Sequence, residues 1–412
     1  MNPFLEKARP VDEDFMDWGK LRAKPYNKNE TDPYTKTRII LMNGTEFEAN
    51  WFSHQFHRNC SNNDLRRELA VSRRVEKQQQ MRIASLKPLD ETMLETTIAY
   101  EQLAVDLTAI LAQREPDHYV EMTMQLALLE DFDHLYRYSD LLEMEMGVRA
   151  ERLVGQYTEI MPGRPTISEH RHPLDSVRKP CNFKKAAPIT KLNTAIITAA
   201  EQQTMNYYMN IANLYGSERG RELYQEIGMI EEQHVTQYGA LLDTKCSWLE
   251  NLLMHEYTEC YLYYSCMMDE CDPYIKKIWE QCFLQEVNQL HAAARLLEKY
   301  EKKSWQQVMP DAEFPELLTF SPQKEYIRQV LGDTVERTAK KEEFISIKEL
   351  SKDADYYRYQ SMVNPKPGAV ASHKVIEEYI TENGEDYRYQ DGPHPVAALQ
   401  SRTKDNTRVG RM

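Results

Sequence analysis

The residues with the clearest chemical potential are Glu101, Asp131, His134, Glu201, Glu231 and His234. Two of the acids stand three positions before a histidine, the spacing that puts a carboxylate and an imidazole on one face of a helix. Together those groups can hold a transition-metal ion. An acid three residues before a histidine is not rare by itself. It occurs at Glu115/His118, Asp131/His134, Glu169/His172, Glu231/His234 and Asp391/His394. With 65 acids in 412 positions, roughly one histidine in six has such a neighbour by composition alone. The pairing matters only in a continuous helix. Pro116 interrupts the first pair, a proline-rich stretch holds the third, and Gly392-Pro393 interrupts the last. The pairs at 131/134 and 231/234 remain.

Those two pairs share a further regularity. Glu101 precedes Asp131 by thirty residues, and Glu201 precedes Glu231 by thirty. The midpoints fall on Pro116 and Gly216, which are helix breakers. In a helical hairpin, residues equidistant from the turn lie at one height, here about 20 Å from it. Each Glu therefore faces an acid/histidine pair. The two stretches repeat at an offset of one hundred: Glu101-Gln102 with Glu201-Gln202, Asp106 with Asn206, and His134, Tyr138, Leu141, Leu142 with His234, Tyr238, Leu241, Leu242. This is the mark of a duplicated hairpin.

The stripes that carry these acids are apolar. Leu94, Ile98, Val105 and Thr108 flank Glu101; Ala127, Tyr138 and Leu141 flank Asp131 and His134. Ile197, Met205 and Tyr208 flank Glu201; Ile227, Tyr238 and Leu241 flank Glu231 and His234. Inward carboxylates are costly unless something neutralises them, and no Lys or Arg occupies the stripes at that height. Two divalent cations with neutral imidazoles would balance four carboxylates. Asp106, Tyr138, Asn206 and Tyr238 are the expected supporting residues around the ligands.

Stepping along the chain, residues 1–42 are polar and are expected to wrap the surface. Thr45-Glu46-Phe47-Glu48 has the form of a capping box opening a helix, and a charged helix follows to about Ser85. Two helices are expected in 90–150, broken at Glu115-Pro116-Asp117. A crossover of about 40 residues follows in 150–190, where six prolines and glycines forbid a long helix. Two helices are expected in 191–243, and two more in 247–302, broken around Cys271-Asp272-Pro273. In the remainder, helices are expected near 322–341 and 372–382, the second stopped by Gly384. Residues 355–360 and 385–390 are near copies (DYYRYQ and EDYRYQ), and the last dozen residues are expected to be disordered. The expected division is an N-terminal extension (1–89), a four-helix bundle (90–243), an accessory hairpin (244–302) and a C-terminal extension (303–412).

One Glu from each of two helices plus an acid-x-x-His from each of two others resembles the ligand set of the ferritin-like dimetal carboxylate superfamily. The resemblance covers roughly residues 90–243, through Glu101, Asp131-x-x-His134, Glu201, Glu231-x-x-His234 and the long crossover. It implies an all-α, ferritin-like four-helix bundle built from duplicated hairpins, with an extra hairpin and irregular extensions. It further implies a cofactor of two iron or two manganese ions and an oxidoreductase activity toward dioxygen or peroxide. An iron-oxidising, metal-handling protein without organic substrate is one alternative, and a metal-free scaffold another. Asp131 departs from the usual Glu; its shorter reach suits a terminal ligand better than a bridge.

The third hairpin repeats the spacing in weakened form. Glu256 and Glu286 are thirty apart, Gln289 stands where a histidine would, and His291 lies two residues on, so a second site there is open. Glu46, Glu76 and Gln79 echo it further upstream; coincidence is the simpler expectation for a Glu near a helix start. No two of the seven cysteines form C-x-x-C, so no rubredoxin or zinc-ribbon motif is present. The net charge of −14 argues against a nucleic-acid partner. With no secretory signal and no membrane-length apolar run, a cytoplasmic protein with reduced thiols is expected, as a homo-oligomer.

Overall fold

The computed structural model describes residues 1–163, 169–384 and 394–396. The chain is predominantly helical. Its long helices are α1 (Pro33–Asn59), α2 (Asn63–Ala84), α3 (Met93–Gln113), α4 (His118–Met146), α5 (Pro188–Leu214), α6 (Glu218–Gly239), α7 (Trp248–Asp269) and α8 (Pro273–Glu301). Shorter helices α9 (Lys324–Thr334), α10 (Asp355–Val363) and α11 (Ala371–Asn383) follow, with a hairpin of β1 (Arg337–Lys340) and β2 (Glu343–Ser346). The helix expected over 322–341 thus ends at Thr334, and a two-stranded ladder with Thr338 opposite Ile345 takes its place. In β1 the adjacent Thr338 and Ala339 are buried between exposed Arg337 and Lys340. The copy at 385–390, the Asp391 of the last acid/histidine pair and the final dozen residues lie outside the described residues.

Local signals account for most helix limits. Thr92 and Glu95 form a capping box at the start of α3, and Ser247 with Glu250 forms another at α7. Asp117 accepts from the amides of Tyr119 and Val120, and Asp272 from those of Tyr274 and Ile275. Gly147 (φ 63°) and Gly384 (φ 86°) end α4 and α11 in the left-handed region, where glycine carries no Cβ penalty. The expected box at Thr45 is not a helix start. Asp32 caps α1 at Tyr34, Pro33 fills its first turn, and the Thr45 hydroxyl donates to Leu41 O in mid-helix.

The chain forms two compact units. Unit one holds 1–91, 181–203 and 242–320; unit two holds 92–180, 204–241 and 321–412. Helix α5 runs unbroken through the boundary after Gln203 and belongs to both. The 247–302 hairpin therefore shares its unit with the N-terminal helices instead of standing alone beside 90–243. In unit one, Arg38 on α1 binds Asp269 and Glu270 at the end of α7 (2.7 and 3.1 Å), and the indole of Trp279 on α8 donates to the same Glu270. The unit also buries Leu41, Phe52, Leu69, Val75, Leu253, Ile278 and Leu290.

Unit two is built on the α3–α4 hairpin, with α6 and the last turns of α5. Its core joins Ile98, Val105, Leu128, Phe132, Leu141, Tyr208, Leu223 and Ile227 to Ile327 and Leu331 of α9 and Val375 and Ile376 of α11. The crossover is laid closely on α4. The Gly163 amide donates to Asp133 Oδ1 (2.7 Å), and a Cβ at Gly163 would come within 2.6 Å of Leu129 O. Helix α11 docks on α6 through Glu226, which accepts from the Ser372 amide and hydroxyl and meets His170 at 3.3 Å.

Burial alone would raise the Glu226 carboxyl. His170, Arg137 and the Ser372 amide outweigh it and bring the group down to about 2. A lowered carboxylate contributes stability above its unfolded value of 4.5 and loses it as pH falls toward 2. Glu226→Gln should therefore cost about 3 kcal/mol at neutral pH. In denaturant melts, the gap from the parent should narrow below pH 4.5; a gap independent of pH would show that the charge is not what holds α11.

Candidate metal centre

Each of the six carboxylate and histidine residues sits on a long helix. Glu101 is on α3, Asp131 and His134 on α4, Glu201 on α5, and Glu231 and His234 on α6. All are at most 1% exposed. The thirty-residue and three-residue spacings fulfil their geometric promise. Glu101, His134 and Glu231 offer ligand atoms within 4.8 Å of one another, and so do Asp131, Glu231 and His234. Glu231 belongs to both groups.

The imidazoles are oriented from two sides. His134 Nδ1 lies 3.0 Å from Glu231 Oε1, and its Nε2 lies 3.5 Å from Glu169 Oε2. His234 Nδ1 lies 3.2 Å from Asp131 Oδ1 and 3.4 Å from Glu231 Oε2, and its Nε2 is 2.8 Å from Glu130 Oε2. In both rings Nδ1 faces the inner acids and Nε2 faces an outer carboxylate. Each outer carboxylate is gripped by a buried arginine. Arg137 binds Glu169 (2.9 Å), Asp133 and the Ser372 hydroxyl, and Arg171 binds Glu130. Gln233 clips the crossover to α6, accepting from the Arg171 amide and donating to Glu169 O (2.7 and 2.9 Å).

This is the arrangement in which an outer carboxylate fixes the tautomer of a ligating histidine and raises its basicity. The inner groups fit a metal on a further count. Glu101 Oε2 and Asp131 Oδ2 accept no hydrogen bond although fully buried, and buried polar atoms are rarely left so. Burial first, then the charges of Glu231 and Asp131, push the Glu101 carboxyl well above its ordinary range against the pull of His134 and Tyr208. Burial likewise raises Asp131. Glu231 is the opposite case: burial raises it, but His134 and His234 bring it down to about 2. Burial would lower His134, yet Glu169 and Glu231 hold it well above the usual imidazole value. Without a cation the cluster can balance its charge only by taking up protons.

The supporting residues differ from those expected. Glu130 and Glu169 hold the outer faces of the rings, where Asp106 and Asn206 were expected. Asp106 accepts from the Thr158 hydroxyl (2.6 Å) and so ties the crossover to α3. Asn206 is half-buried, and its carbonyl accepts from Asn210 (2.7 Å). Tyr208 is the phenol that donates to a ligand, Glu101 Oε1. Tyr138 packs at a tilt against Tyr208 and Tyr224 with ring centroids 5.3 and 4.9 Å away, and Tyr238 lies edge-on to His234 at 6.4 Å. Tyr208 had a visible signal, since it lies two turns beyond Glu201 on the same stripe. Glu169 was visible only as half of a pair with His172, which instead caps a turn at Leu174.

Glu169→Gln and Arg171→Gln should each lower affinity for Mn2+ or Fe2+ by about 10- to 100-fold with the inner residues intact. Anaerobic calorimetric titration would measure this; unchanged affinity in both variants would remove the outer carboxylate–arginine pairs from any role in metal binding.

The geometry has no counterpart to lean on: no known protein family, curated protein or solved structure matches this chain.

Proposed function

We propose that unit two holds a ferritin-like dimetal carboxylate centre, and that the protein is an oxidoreductase acting on dioxygen or peroxide. The observation that carries this reading is the pair of donor groups sharing Glu231. Glu101, His134 and Glu231 would hold one ion, and Asp131, Glu231 and His234 the other, with Glu201 the fourth carboxylate that the sequence repeat supplies. The short side chain of Asp131 would suit a terminal ligand.

Two iron or manganese ions would supply redox chemistry at the buried centre; the protein sets geometry and access. Carboxylate and imidazole ligands suit both metals. The chain's own contribution is visible in three places. Glu169 and Glu130 face the imidazole Nε2 atoms, so Nδ1 would be the atom that holds a metal. Tyr208 donates to Glu101 and limits that carboxylate's swing. The phenols of Tyr208, Tyr224 and Tyr215 continue from Glu101 toward Glu145, with ring centroids 5.6 and 5.3 Å apart and the Tyr215 hydroxyl 2.6 Å from exposed Glu145. Oxidisable side chains in contact from ligand to surface support single-electron traffic and favour a redox role over a scaffold.

Protein expressed with iron and manganese both available should contain about two ions per chain by elemental mass spectrometry, the number matched by four carboxylates, plus any held in unit one. His134→Ala/His234→Ala should lose those two and the metal-dependent consumption of dioxygen or peroxide. Dozens of irons per chain would favour storage instead. Equal metal content in parent and variant would sink the centre.

A further inference from the structure

Unit one contains a second set of buried acids that the reading above leaves unused. Glu46 comes from α1, Glu76 from α2, Glu256 and Glu259 from α7, and Glu286 from α8. None is more than 3% exposed. Ligand atoms of Glu76, Glu256, Glu259 and Glu286 lie within 4.8 Å of one another. Glu46 joins them through its contact with Glu76 and is steadied by the Tyr263 hydroxyl.

The pattern is that of unit two with the histidines replaced. Glu46 and Glu76 are thirty apart, as are Glu256 and Glu286, and three residues after the second acid stands Gln79 in one hairpin and Gln289 in the other. The upstream echo is therefore no coincidence. His291 is not part of the cluster, being half-buried against Phe4 with ring centroids 6.4 Å apart.

Acids alone do not make a site, and two further observations point to a ligand. Gln289, 1% exposed, commits its Nε2 to Glu286 (3.1 Å), while its Oε1 accepts no hydrogen bond. Gln79 Nε2 also donates to Glu286 (2.5 Å). Both oxygens of Glu259, itself 1% exposed, are unpartnered. Among the described residues no Lys, Arg or His forms an ion pair with any of the five acids. Buried carboxylates in this number need positive charge from somewhere.

We propose that unit one binds a hard divalent cation through Glu76, Glu256, Glu259 and Glu286, with Glu46 supporting them. The donor set is oxygen only. Such sites suit Mn2+, Mg2+ and Ca2+, and without imidazole or thiolate they lose the preference for zinc that nitrogen and sulfur ligands confer. Gln79 and Gln289 orient Glu286 through N–H donors where the first centre has ligating imidazoles. The two centres thus differ in metal selectivity, and this one has no ligand that couples readily to redox change.

The test uses full-length His134→Ala/His234→Ala protein stripped of metal, in which the first centre is disabled. Mn2+ is titrated in, and the free-ion EPR signal reports binding. At least one Mn2+ per chain should bind saturably, Ca2+ should displace it, and zinc should compete no better than Ca2+. Adding Glu259→Gln should weaken Mn2+ binding roughly tenfold or more, since affinity tracks ligand charge. It should also abolish the Mn2+-induced rise in melting temperature. Glu256→Gln is a second variant read in the same way should the first fail to fold. No saturable Mn2+ in the histidine variant, with two ions in the parent, would overturn this proposal and leave the first centre standing. Equal binding in parent and histidine variant, abolished by Glu259→Gln, would do the reverse.

Discussion

A carboxylate moved from water into a helical core costs several kcal/mol unless a counter-charge or a proton meets it. That cost shapes both units of this chain. Each places acids at the height where four helical segments converge, and in each the surrounding side chains leave carboxylate oxygens without donors. Evolution removes such groups from ordinary cores, because an apolar residue of the same size is as stable or more so. Their presence on all eight long helices is the feature from which the proposed chemistry follows.

In unit two, everything around the acids serves to hold them still. The crossover does more than connect two hairpins: Gly163 lets it lie on α4, and Gln233 clips it to α6. That path delivers Glu169 and Arg171 to the outer faces of the centre. The two arginines sit one layer outside the inner acids, and each neutralises a carboxylate that fixes an imidazole. Charge is therefore layered, with inner acids facing the imidazoles and outer acids paired with arginines. Helix α11 closes the layer through Ser372, which touches both Arg137 and Glu226. The C-terminal segment is thereby part of the same hydrogen-bonded construction.

Much of this was legible from spacing. A thirty-residue interval centred on a breaker, with a three-residue step to histidine, encodes helix length and hairpin turn together, so the eight long helices, and the helix on which each of the six acids and histidines sits, could be read directly. What could not be read has a common cause. Glu130 is adjacent to Asp131 and carries no periodic signal of its own. Glu169 and Arg171 come from an irregular crossover with no repeating pattern of its own. The helix start at Pro33 was displaced to Thr45 because a threonine–glutamate spacing cannot tell a cap from a mid-helix hydroxyl bonded to Leu41 O. The pairing of the 247–302 hairpin with α1 and α2 is a long-range choice. Its trace, the Glu46/Glu76/Gln79 echo, lacked the histidine that made the other repeats persuasive.

The central claim is that Glu231 joins two metal positions, each completed by one histidine. Crystals of the metal-loaded protein, measured on both sides of the manganese and iron absorption edges, test it most directly. Two anomalous peaks should flank Glu231, one against His134 and one against His234. Anomalous density elsewhere on a metal-loaded protein, with none beside Glu231, would contradict it.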